Sequence, residues 1–283
     1  MKTFYSQSLE KTDASLLLGI VLGIKGDFPL PFNQALQATG VLHVIAASGM
    51  NVTMVSAFLF SLASRFFKRQ WAIVMCIGGV IFYAFLSGLQ PSILRATVMG
   101  CLAFGAQLFG RQYIAVYALC VSIFFMLFTS PQLAFDIGFQ LSVMATLGII
   151  LLSPLLPKNK LFADSNTTLS AQVFTLPILL GTFGQYGLLS ILVNALVLWT
   201  IPPLMILGGV GAIIGLIFEP VGKLLILLAV PFLWFFEKVV TYFGSLQWNL
   251  TLHTLSHLLI MGYYLLLVSV VFIVKLQARK IKK

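Results

Sequence analysis

The chain has 283 residues, 60% of them hydrophobic and only 8% charged, with a formal net charge of +10. An ordinary soluble domain is about 25% charged, so a water-soluble globular fold is excluded and the class is a polytopic helical membrane protein. A surplus of this size on a soluble protein would point to nucleic acid. On a membrane protein it is first a question of loop topology.

Residues 1–13 are polar, and Glu10 and Asp13 stand where a secretory leader would be basic, so no signal peptide is expected. Residues 14–24 (ASLLLGIVLGI) are apolar but too short to cross a hydrocarbon core of about 30 Å. Residues 28–40 are mixed, and 14–40 together read as half-helices or interfacial helices leading into the first span. Apolar runs follow at about 41–63, 72–87, 92–109, 113–129, 134–156, 168–183, 188–217, 224–246 and 254–275. The breaks between them (RFFKRQ, SGLQP, GRQ, TSPQ, LPKNK, GQYG, FEP and QWN) are turn-forming or charged. The expected fold is therefore all-α, with about nine spans, N-terminal half-helices and broken or kinked central helices. It is expected to be one domain, 14–275, between the polar segment 1–13 and a basic tail, 276–283.

The basic residues orient it. If the first span runs from outside to inside, the inner loops and tail hold Arg65, Lys68, Arg69, Arg111, Lys158, Lys160, Lys223, Lys275, Arg279, Lys280, Lys282 and Lys283. The outer connections after Ser87, Ser130, Gly184 and Gln247 hold none. This asymmetry predicts a multi-pass protein of the cytoplasmic (inner) membrane, bathed in lipid, with its C-terminus in the cytoplasm. It also accounts for most of the net charge.

Arg95 is left over, within the stretch SGLQPSILRATVMG. It lies about one turn into a helix that begins at Pro91-Ser92, where the dipole is already positive. A charge at that depth costs roughly 2.5–3.5 kcal/mol on insertion scales. Either it forms an ion pair within the bundle, with Asp136 or Glu237 as candidate partners, or it lines a polar path as a fixed cation. Ser48, Gly49 and Asn51, in HVIAASGMN, are either a small-residue packing notch or a true helix break that exposes backbone to a cavity. Asp136, Gln140 and, less well, Ser142 fall on adjacent turns of the fifth span and suit interhelical hydrogen bonds. Pro177 should kink the sixth span, with Thr175 and Gln172 placed to satisfy the freed backbone. Asn194 is a lone polar residue in the seventh.

No phosphate loop of the G-x-x-x-x-G-K-[ST] type occurs. His253 and His257 are four apart without a nearby acid and read as a helix start at the interface; Cys76, Cys101 and Cys120 read as packing residues. No metal, cofactor or enzymatic activity is expected.

Together, these residues resemble the membrane domain of the ComEC-type competence proteins. The matching blocks are ASLLLGIVLG (14–23), GVLHVIAASGMNV (40–52), YAFLSGLQPSILRATVMG (83–100), GRQ (110–112), SPQLAFDIGFQLSVMATLGI (130–149), LSAQVFTLPILLGTFG (169–184) and LLSILVNALVLWTIPPL (188–204). They are in family order and cover roughly 14–215. The resemblance implies a channel that passes one DNA strand across the inner membrane during natural transformation. It also implies that His43, Ser48, Gly49, Pro91, Ser92, Arg95, Gly138, Gln140, Ser142, Pro177 and Asn194 belong to the shared channel core. Full-length members carry a nucleic-acid-binding β-domain before this region, and many carry a metallo-β-lactamase-like domain after it. Neither is expected here. The expectation is a passive translocation subunit for single-stranded DNA, working with separately encoded DNA-binding, nuclease or helicase partners. Its rivals are a transporter of a small anion or metabolite and a non-transporting membrane partner.

Overall fold

The computed structural model describes residues 2–24, 26, 28–41, 45, 48–156, 163–183, 185–187, 189–246, 249–251 and 257–281. Two compact units emerge, one from 1–114 with 192–247 and one from 115–191 with 248–283.

The first unit opens with helices α1 (Lys2–Ser8), α2 (Lys11–Leu22) and α3 (Leu30–Ala38). The next three helices are α4 (Gly49–Phe66), α5 (Arg69–Leu86) and α6 (Pro91–Leu108). Helix α10 (Ser190–Val197) runs through a short 3₁₀ turn into α11 (Ile201–Gly215), and α12 (Glu219–Leu227) and α13 (Val230–Ser245) complete the unit. Helices α4 and α5 form a hairpin through Phe67-Lys68, as two apolar helices joined by so short a link must. With α6 they enclose a core of Val52, Val80, Tyr83, Ala84 and Ile93.

Helix α2 sets the plan of this unit. Its 12 residues span about 18 Å, well short of a bilayer core. Every residue from Leu16 to Leu22 is nevertheless buried. Helices α1, α11 and α13 pack against it. Gly208 of α11 lets that approach happen, because a Cβ there would meet the Leu17 and Val21 side chains at 2.8–2.9 Å. A helix that ends inside protein needs donors for its last carbonyls, and α2 receives them from other helices. Gly23, at φ 69°, returns its own amide to Gly19. Asn51 Nδ2 then donates to the Ile20 carbonyl at 2.7 Å, the Tyr83 hydroxyl to that of Val21 at 2.9 Å, and Gln90 Nε2 to that of Gly23 at 2.6 Å.

The second unit holds α7 (Ala115–Thr129), α8 (Ile137–Leu152, flanked by 3₁₀ turns), α9 (Ala163–Phe183) and α14 (His257–Ile281). Helices α8 and α9 pack closely, and Gly148 permits it: a Cβ there would overlap the Phe174 ring and the Ser170 carbonyl. Phe174, Leu267 and Val271 form the centre of the core.

One feature departs from the all-α expectation. Strands β1 (Gln185–Gly187) and β2 (Asn249–Thr251) pair antiparallel, Tyr186 opposite Leu250. Strand β1 falls within the GQYG segment and β2 starts at the Asn249 of QWN, two segments that read as breaks. Each is a short polar connection that gives its backbone groups to the other.

Four described segments are long and apolar enough to cross a membrane: Arg69–Leu86, Ile137–Leu155, Ser190–Gly215 and Glu219–Ser245. Several expected runs take a different form. The run 41–63 is helical from Gly49 to Phe66, and 224–246 falls across the junction of α12 and α13 at Leu228-Ala229.

The capping of α2 is directly testable. Asn51→Leu strands the buried Ile20 carbonyl and should destabilise the unit by about 1–3 kcal/mol. Gln90→Leu, at a half-buried bond, should cost less. Thermal unfolding in detergent measures both. A smaller loss for Asn51→Leu than for Gln90→Leu would mean that water, not Asn51, holds the end of α2.

Candidate functional site

The polar residues of the first unit gather where α4 and α6 begin. Ser48 is extended (φ −115°, ψ 168°) and α4 starts at Gly49, so the Ser48-Gly49 pair is a true helix boundary rather than a notch within a continuous span. The Ser48 hydroxyl does not cap its own helix; it donates to Asn51 Oδ1 at 3.3 Å while the amide of Asn51 serves α2. His43 lies outside the described residues.

Pro91 occupies the first position of α6, which suits a residue without an N–H. Ser92 follows in the first turn, and Arg95 is the fifth residue of the helix. Arg95 is only 7% exposed, and among the described residues its Nε and Nη1 have no hydrogen-bond partner. Its Nη2 stands 3.5 Å from the point that a Cβ on Gly49 would occupy. The guanidinium thus leans over the first residue of α4.

Neither acid considered as a partner for Arg95 forms an ion pair with it among the described residues. Asp136 is the N-cap of α8 and accepts the Phe139 amide at 2.7 Å. It is exposed and precedes the helix instead of lying on one of its turns, because the chain before it is a 3₁₀ turn over Pro131–Phe135. Glu237, on α13, forms no ion pair among the described residues. Among the described residues the one ion pair is between Lys223 and Glu219 of α12, at 2.6 Å.

In the second unit Gly138 leaves room for the Asp136 cap, since a Cβ there would sit 3.1 Å from Oδ1. Gln140 Nε2 donates to the Ala134 carbonyl at 2.8 Å, tying α8 to the preceding turn, and Ser142 is half-buried further along the same helix. Pro177 lies inside α9 and removes the donor for the Val173 carbonyl. The replacement is the Tyr263 hydroxyl on α14, at 2.9 Å, with Tyr264 donating to the next carbonyl, Phe174, at 2.9 Å. The expected helpers do other work. Thr175 bonds the Ala171 and Gln172 carbonyls, and Gln172 Nε2 donates to Ser190 Oγ at 2.9 Å. Asn194, which belongs to the first unit, is fully buried, and among the described residues both its amide atoms are unpartnered.

Sequence reasoning passed over Tyr83, Gln90, Tyr263 and Tyr264. A tyrosine in an apolar run is one usable signal, since its hydroxyl needs an acceptor once buried. The identity of that acceptor is a matter of tertiary packing. Among the described residues no group of three or more His, Cys, Asp or Glu side chains could hold a metal ion.

The profile of a family described as "Competence protein" matches residues 20–277. ComE operon protein 3 of Bacillus subtilis is 33% identical over 165 residues, 57% of this chain and 21% of that protein. An uncharacterized protein of Aquifex aeolicus is 29% identical over 201 residues, 65% of this chain and 48% of its own length. Competence protein ComA of Neisseria gonorrhoeae is 27% identical over 196 residues, 62% of this chain and 28% of that protein. The chain thus spans about half or less of the curated relatives it matches. No solved structure matches it significantly.

The proline bypass in α9 supplies a coupled test. Tyr263→Phe orphans the Val173 carbonyl and should cost about 1 kcal/mol or more. Pro177→Ala restores an amide to that carbonyl, so the tyrosine change should cost less in its presence. A double-mutant cycle on detergent-solubilised protein reads the coupling. Additive losses would mean that Tyr263 does not replace the missing proline donor.

Proposed function

The chain belongs to the competence protein family, and on that premise we propose that it forms a membrane conduit for single-stranded DNA in the uptake step of natural transformation. The observation that carries this reading is Arg95, a buried guanidinium with two nitrogens unpaired, set beside the break that begins α4. Intramembrane charges without a structural partner mark ion and substrate pathways. Single-stranded DNA carries about one negative charge per nucleotide, so its path needs cations and donors, but few enough not to trap the polymer. One arginine accompanied by Ser48, Gly49, Asn51 and Ser92 suits that requirement.

In this reading the chain crosses the cytoplasmic membrane several times with its C-terminus inside. It performs no chemistry of its own. The driving force comes from separately encoded partners such as a helicase, and the strand is delivered by a DNA-binding or nuclease partner.

Two measurements test it. Arg95→Gln should leave membrane insertion intact and lower transformation with labelled DNA by tenfold or more, and Arg95→Lys should recover part of the loss because it keeps the charge without the planar fork. Uptake at the parental level with Arg95→Gln would remove the conduit role. For topology, single cysteines are placed at Ser130 and Arg111 in a background with Cys76, Cys101 and Cys120 changed to serine. An impermeant thiol reagent should label Ser130→Cys in intact cells and leave Arg111→Cys untouched. The reverse pattern would invert the orientation.

A further inference from the structure

The first turns of α4 and α6 share a property that the conduit reading does not require. Neither has a side-chain cap. At α4 the Ser48 hydroxyl is turned to Asn51 Oδ1. At α6 the Gln90 amide is spent on the Gly23 carbonyl, and Pro91 has no amide to offer. Each helix is 18 residues long, so each start carries a partial positive charge of roughly half an electron.

A helix start normally holds a capping oxygen or a carboxylate. Here a cation stands there instead. Arg95 Nη2 comes within 3.5 Å of the Gly49 Cβ position, and Nε and Nη1 point at no acceptor although the side chain is more than nine-tenths buried. A desolvated guanidinium on α6, set beside the positive start of α4, is unfavourable unless an anion completes the group. Uncapped amides at a helix start, a planar fork of donors and a residue with no side chain over the backbone are the parts of an oxyanion site. Ser48, Gly49 and Met50 are half-buried, so the place is reachable.

We propose that Arg95 and the first turns of α4 and α6 form a seat for a single oxyanion of the phosphodiester class. Among the described residues the seat offers backbone amides and a guanidinium and nothing that reads a base, so it takes nucleic-acid backbone irrespective of sequence. The choice of nucleic acid as the source of the phosphate rests on the conduit reading; the oxyanion chemistry does not.

The test uses the full chain in phosphatidylcholine nanodiscs and four probes. These are a fluorescent thymidine 12-mer, an abasic deoxyribose-phosphate strand of equal length, the 12-mer with neutral methylphosphonate linkages, and inorganic phosphate as competitor. The 12-mer and the abasic strand should bind alike, the methylphosphonate strand at least about tenfold more weakly, and phosphate should displace both charged strands. Equal binding of charged and neutral strands by the wild-type protein overturns the seat, whatever the variants do. Gly49→Ala should fold normally, because its methyl meets Ala96 and Arg95 at 3.4–3.5 Å, and should weaken binding modestly. Gly49→Val and Arg95→Gln should each weaken it about tenfold. Unchanged affinity in both, with the protein monodisperse, also overturns the seat and leaves the conduit reading standing. Anion binding lost in these variants, with no uptake of DNA by wild-type cells, keeps the seat and removes the conduit. Displacement of the 12-mer from the wild type, but not from Arg95→Gln, by phosphatidylglycerol in the nanodisc keeps the oxyanion chemistry and assigns it to a lipid headgroup.

Discussion

A helix too short to cross the membrane can lie at membrane depth only if other protein supplies the donors that its last carbonyls lack. Helix α2 meets this constraint through Asn51, Tyr83 and Gln90, which come from the start of α4, the last turn of α5 and the link before α6. Three parts of the three-helix group are thereby pinned to one point. The same pinning places the start of α4, and through it Gly49, under Arg95. The polar centre of the first unit is in this sense a by-product of ending α2 inside protein.

The second unit solves the same problem in the middle of a helix. Pro177 removes one donor from α9, and the tyrosine pair on α14 supplies hydroxyls to two consecutive carbonyls. Both units use aromatic or amide side chains from another helix in place of water. This is economical in an apolar chain: a tyrosine adds one hydroxyl at its tip and otherwise packs like phenylalanine. Unlike Arg95, Lys238 is exposed, with its ammonium 6.0 Å from the centre of the Trp234 ring.

Much of this architecture was legible in residue order. The short apolar run at 14–24, the start at Pro91, the proline in the sixth run and the oddness of Arg95 each follow from length, residue type or charge in one segment, and each has a structural counterpart. The segment at 48–51 was ambiguous because serine and glycine serve both helix packing and helix termination. Only the extended backbone of Ser48 separates the two. The partners were harder to see. Arg95 with Asp136 or Glu237 was a guess by charge alone, whereas Asp136 answers to its own helix end and Glu237 forms no ion pair among the described residues. Likewise, Thr175 and Gln172 were chosen by proximity in sequence, and the donor to Val173 stands 90 residues away. Local chemistry announces a need; which distant group meets it depends on how helices pack.

The end of α2 also has a meaning for assembly in time. Its three carbonyl partners lie 31, 62 and 67 residues further along the chain. During synthesis α2 emerges well before Gln90, and at about 18 Å it is too short to settle across the bilayer by itself. The groups that cap its end therefore become available only once α4, α5 and the link before α6 have been made. Helix α2 is thus made before every one of the groups that cap it.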